Sequence, residues 1–142
     1  MTTPAPEFIR RPDGLGEPLG LYSHVAVVPA GAKLVVVAGQ VGLNADGVAA
    51  GGLEEQTRKA FENLGTALKA GGAEYADLVK TTTLLVGAES IPVFMAARRA
   101  VFAEIFPAGI YPPNTLLVIS RLVEEGLLVE IEGLAVTRSS TD

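Results

Sequence analysis

"LEEQTRKAFENLGTALKAGGAEYADLVKTTTLLVG", residues 53–87, changes its period partway along. Up to Ala70 the inward-type residues Leu53, Thr57, Ala60, Phe61, Leu64 and Leu68 recur at steps of three and four. That spacing lines one side of an α-helix. Glu54 and Glu55 fall in its first turn, where the helix dipole favours carboxylates, and Gly71 and Gly72 supply a stop. "LVKTTTLLVG" then reads as a strand rich in β-branched residues. A helix that hands over to a strand so quickly predicts a chain of mixed α and β elements.

Working outward supports this. Upstream, "LYSHVAVV" (21–28) and "KLVVVAGQVGL" (33–43) flank the turn signal "PAGA", so a β-hairpin is expected. The run Leu34–Ala38 is continuously apolar, as in strands covered on both faces. "NADGVAAGG" (44–52) reads as a loop with a turn at Asp46-Gly47. Downstream, residues 91–106 predict a second helix with Pro92 in its first turn and Phe94, Ala97, Val101 and Ile105 on its main apolar stripe. "TLLVISRL" (115–122) and "GLLVEIEGLAV" (126–136) are expected to pair as a hairpin through "VEEG". The order is β-β-α-β-α-β-β, an α+β domain with a single mixed sheet and both helices on one face. The other sheet face is left bare, and further copies of the chain are the expected cover. Residues 1–18, with four of the nine prolines, read as an irregular arm; 19–137 form the domain and 138–142 a tail.

The 142 residues suit one domain, and 49% of them are hydrophobic. A formal net charge of −5 disfavours nucleic acid as a partner. The absence of cysteine removes disulfides, thiolate catalysis and cysteine-bound metals. No apolar run has the length of a membrane span, and "MTTPAPEFIRRPDG" lacks the apolar core of a signal peptide. A soluble cytoplasmic protein without a membrane role is expected.

Several residues are candidates for chemistry. Side chains alternate along the last strand, so Glu130 and Glu132 share a face about 7 Å apart. They are either charges on a wet face that discourage aggregation or a general base in a cleft. Asn114 follows Pro112-Pro113, which stiffen its backbone. Gln40 ends an apolar strand, where its amide either satisfies loop backbone or meets a ligand. His24 is the single histidine, more in keeping with a structural or solvated role, and one histidine builds no metal site within a chain. Arg98 and Arg99 are adjacent on the second helix. Arg99 shares a small-residue stripe with Ala96 and Ala103 and is either solvated or directed into a neighbouring subunit. No P-loop, G-x-G-x-x-G, H-E-x-x-H or G-x-S-x-G motif occurs.

From about Leu19 to Val136 the chain resembles the Rid family, the reactive intermediate deaminases also called YjgF or L-PSP proteins. The resemblance rests on "GLYSHV", "VVVAGQVGL", the segment from Glu54 to Val86, "YPPNTLLVISRL" and "LVEIEGLAV", all in family order. It implies a chorismate-mutase-like fold, a homotrimer with a central barrel of sheets, and small-molecule clefts between subunits. It further implies hydrolysis of enamine or imine intermediates to a ketone or keto acid and ammonia, with no cofactor or metal. Glu130 matches the family's water-holding glutamate, while Tyr22 and Gly39 match cleft residues. Gln40 belongs to the same strand motif, and the resemblance puts Arg99 at the helix position often held by asparagine. Departures are Ala38 for a serine, Gly42 for a proline and His24 for a glutamine. Asn114 stands where the family has the arginine that binds a substrate carboxylate, so 2-imino acids are expected to be poor substrates. A binding protein without catalysis is the alternative, and endoribonuclease activity, attached to some relatives, fits the net charge least.

Overall fold

The computed structural model describes residues 3–138. The tail expected over 138–142 lies outside them, apart from Arg138. Six strands and two long helices follow one another as β1 (Glu7–Ile9), β2 (Val25–Val27), β3 (Lys33–Val41), α1 (Leu53–Ala70), β4 (Leu78–Val86), α2 (Ser90–Ile105), β5 (Asn114–Ile119) and β6 (Val129–Thr137). A short 3₁₀ turn, Tyr75–Asp77, precedes β4.

The α+β class and the two helices agree with the reading from sequence, and α1 has the predicted limits. Its stripe is buried: Thr57, Ala60, Phe61, Leu64 and Leu68 are sealed, and each leucine contributes about 2 kcal/mol by leaving water. The Thr57 hydroxyl donates to the Leu53 carbonyl at 2.7 Å, which makes a β-branched polar residue tolerable there. Gly72, at φ +81°, turns the chain out of α1.

The pairing of strands corrects three expectations. The main sheet has the order β3-β6-β4-β5, with only β4 and β5 parallel. The last two strands therefore make no hairpin. β5 returns through α2 to lie parallel beside β4, the usual outcome of a strand–helix–strand unit. β6 crosses past it and inserts between β3 and β4. Val129, Ile131 and Ala135 of β6 are fully buried, and the central position covers them best. Second, β2 does not pair with β3. β2 pairs antiparallel with β1 in a separate two-stranded ribbon, so the sheet is not single. Third, the arm is not wholly irregular, because β1 belongs to it.

Both helices cover one face. Phe61, Leu64, Leu68, Phe94, Val101 and Phe102 pack with Val35, Val37, Leu85, Val129 and Ile131 in one core. The opposite face carries Leu34, Val36, Lys80, Thr82, Leu117, Glu132 and Leu134. Of these, Leu34 is 58% and Val36 69% exposed. Among the described residues no helix is long and apolar enough to cross a membrane.

Candidate functional site

β3 is not a regular strand. Its register with β6 shifts between Val37, opposite Gly133, and Gln40, opposite Ile131. Two residues, Ala38 and Gly39, thus face one, which is a β-bulge of the kind that re-aims neighbouring side chains. The Gln40 amide donates to the Ala38 carbonyl at 3.1 Å and braces the bulge. Glu130 stands against it. A Cβ on Gly39 would lie 2.6 Å from Glu130 Cδ and 2.8 Å from Oε2, so only glycine lets this carboxylate lie on the backbone. Glu130 is half-buried and Glu132 exposed, both on the sheet face away from the helices.

Asn114 opens β5 opposite Thr81. Its Oδ1 accepts from the hydroxyls of Thr81 at 2.9 Å and Thr83 at 3.0 Å. Both threonines are buried and share the helix face of β4 with Leu85. With its oxygen held inward, the amide turns its NH₂ the other way, and Nδ2 makes no hydrogen bond among the described residues. Within one protomer Asn114 and Glu130 therefore stand on opposite sheet faces, with β4 between their strands.

Tyr22 lies in the strap that leads into β2. Its hydroxyl accepts from the Leu19 N–H at 3.1 Å, and its ring meets His24 edge-on at 5.7 Å. The His24 ring N–H donates to the Gly16 carbonyl at 3.0 Å, a structural role. On α2 the two arginines part company. Arg99 is exposed, whereas Arg98 is only 3% exposed. The sequence reading fixed on Arg99 and passed over Arg98. The signal was available, since Arg98 lies four residues from both Phe94 and Phe102, on the core side of the helix. Thr81 and Thr83 were likewise missed, although two hydroxyls alternate at inward positions of an apolar strand.

The predicted residues thus stand apart in a protomer: Glu130 with Gly39 and Gln40, Asn114 with its threonines, Tyr22 near Arg98, and Arg99 exposed on α2. An apolar cleft of about 450 Å³ between the arm and the end of α2, lined by Phe8, Ile105, Phe106 and Val136, contains none of them. No cluster of histidine and carboxylate side chains suited to a metal occurs among the described residues.

Comparison with known proteins gives one consistent family. The model of the family described as "Endoribonuclease L-PSP" matches residues 14–137. The 2-iminobutanoate/2-iminopropanoate deaminase of Mus musculus is 31% identical over 120 residues, covering 83% of this chain and 82% of its own length. Its Homo sapiens counterpart is 28% identical over 120 residues, covering 83% and 81%. A solved structure of YyfB from Yersinia pestis, a Rid-family protein of unknown function, superposes with a TM-score of 0.81. It is 28% identical, and the match covers 93% of this chain and 98% of that one.

Proposed function

The chain belongs to the endoribonuclease L-PSP, or Rid, family, and on that premise we propose that it hydrolyses enamine or imine intermediates in a cleft assembled between subunits of a homotrimer. The observation that carries this reading is the Glu130 carboxylate seated on the Gly39 backbone. There it holds a water beside the imine. The water oxygen adds to the imine carbon while Glu130 takes a proton and returns it to nitrogen. Glu130 then passes the hydroxyl proton of the resulting carbinolamine to nitrogen as the C=O bond forms and the C–N bond breaks, releasing ammonia and leaving the carbonyl product. Positioning water and imine together contributes most of the rate, and the proton transfer contributes about 10²- to 10⁴-fold.

The opposite facing of Asn114 and Glu130 favours a cleft that draws them from different copies. Tyr22, Gly39, Gln40 and Asn114 line it, and Arg99, exposed on α2, is free to reach across. Asn114 offers a neutral NH₂ where the family resemblance puts a guanidinium. Imines without a carboxylate, or with one held elsewhere, are therefore the better substrates. The exposed apolar face of the sheet favours the trimeric barrel.

The test is ammonia release from a freshly generated imine, corrected for spontaneous hydrolysis. The native protein accelerates release, and Glu130→Gln loses at least about a hundredfold while keeping its assembly state. No acceleration by the native protein with any imine, together with retained ligand binding, assigns the cleft to binding without catalysis.

A further inference from the structure

Among the described residues Arg98 is the only charged side chain in the fully buried class. It forms no ion pair there. Its Nε is buried without any partner. Of the five guanidinium N–H groups, one is accounted for, from Nη2 to the Met95 sulfur at 3.0 Å, and a thioether is a weak acceptor. The guanidinium carbon lies 5.3 Å from the Phe94 ring centroid and 5.7 Å from that of Phe102. Those faces ease burial of the charge without neutralising it. Burial pulls the Arg98 pKa down, with Tyr22 offsetting part of the fall, yet a guanidinium does not give up its proton. A cation in this position is a standing cost unless an anion joins it.

The guanidinium is covered by the backbone at Gly20, packed so closely that even a Cβ would lie 2.6 Å from Nη2. Short-range bonds hold that cover, from Tyr22 N–H to Gly20 carbonyl at 3.1 Å and from Leu19 N–H to the Tyr22 hydroxyl at 3.1 Å. Leu19 itself is 92% exposed.

We propose that Arg98 is an anion receptor, and that a small organic carboxylate seats on its Nε/Nη2 edge as the Gly20–Tyr22 backbone moves aside. A carboxylate fits because its two oxygens match two parallel N–H groups in one plane. The proposal rests on the reading of Tyr22 as a cleft residue and gives that cleft the charge that Asn114 lacks. The anionic end of a substrate is then held from α2.

The experiment follows the Arg98 Nε–H resonance in ¹⁵N-labelled protein, with propanoate as probe, propanamide as its uncharged counterpart and chloride matching the ionic strength. Propanoate shifts the resonance saturably and propanamide does not. Arg98→Met, which replaces a buried charge with an apolar chain, stays folded and raises the propanoate Kd at least about tenfold. Arg98→Lys, which keeps the charge without the fork, gives an intermediate Kd and serves if the methionine variant fails to fold. A resonance that ignores propanoate overturns the proposal. So does one that moves on diluting the protein instead, because the counter-ion is then a neighbouring subunit's carboxylate. If Arg98→Met binds propanoate as tightly as the native protein, the cleft stands and Arg98 is not its receptor. Failure of the catalytic reading appears separately, as absent ammonia release with propanoate binding intact.

Discussion

At the scale of single residues, Asn114 has two separable duties. Its oxygen holds Thr81 and Thr83, and its NH₂, unbonded among the described residues, is the group offered to the proposed cleft. Asn114→Ala strands the buried Thr83 hydroxyl, leaves that of Thr81 only the Pro113 carbonyl at 3.5 Å, and lowers unfolding free energy by about 1–3 kcal/mol, measured by chemical denaturation. Asn114→Asp keeps an acceptor for both threonines, so most of that stability returns. It replaces the outward donor with a negative charge, and binding of an anionic imine falls further than in the alanine variant. Equal stability of all three proteins removes the clasp. From the sequence, the stiff Pro-Pro turn and the unusual amide are legible, but their meaning is not. An inward-facing oxygen depends on two hydroxyls more than 30 residues earlier, and no local pattern reports their distance. Arg98 and Arg99 differ in the same way. Adjacent residues on a helix point about 100° apart, and only the placement of Phe94 and Phe102 decides which arginine is buried.

Among the elements, α1 is tied to the far end of the sheet by one side chain. Gln56, 1% exposed, donates from Nε2 to the carbonyls of Gly51 and Gly126, and its Oε1 accepts from Leu128 N–H, each at 2.9 Å. It thereby positions the entry to β6 and hence Glu130. Gly42 passes so close that a Cβ would lie 2.5 Å from Gln56 Cα, which accounts for glycine there. Gln56→Leu keeps the volume and loses all three bonds, so stability drops by about 3 kcal/mol in thermal or chemical unfolding. An unchanged midpoint makes the tie irrelevant. The 3₁₀ turn carries a pH-dependent contribution. Tyr75 donates to the Phe61 carbonyl at 2.7 Å, and burial, with Glu62 adding to it, raises its pKa. A raised pKa in the folded state gives stability that is complete below about pH 10, the ordinary tyrosine value, and is lost as pH climbs through the folded value. Native protein accordingly loses stability above about pH 10 more steeply than Tyr75→Phe; parallel slopes contradict this. Helices are legible in sequence because their period is local, and α1 shows it. Strand partnership is not local. β6 takes β3 and β4 as neighbours because its buried residues need cover on both edges, and the apparent turn "VEEG" says nothing of that.

For the whole molecule, the open question is what meets the bare sheet face. Leu34 and Val36 are more than half exposed on it, Leu134 pairs with Val36, and Leu117 lies on the same face at the opposite edge. If three copies close their sheets into a barrel, Val36→Glu introduces carboxylates at the contact. Sedimentation then reports trimers for the native protein and smaller species for the variant, with helix content unchanged. A native protein that sediments as a monomer at micromolar concentration ends the shared-cleft reading. The surplus of apolar strand residues is legible in composition and pattern; the number of copies is not, since symmetry lies outside any one chain. The strand order also sets a schedule. β3 and β4, the two partners of β6, leave the ribosome well before it does. Between the end of β4 at Val86 and that of β6 at Thr137 lie about 51 residues, or about 3–10 s of translation at ordinary rates. Throughout that interval two apolar strands wait with open edges on a growing chain and no central strand to join them. Nascent protein is therefore at its most adhesive late in synthesis, and a ribosome that pauses beyond α2 prolongs the hazard. The keystone arrives last, and a chaperone acting between α2 and β6 has the most to protect.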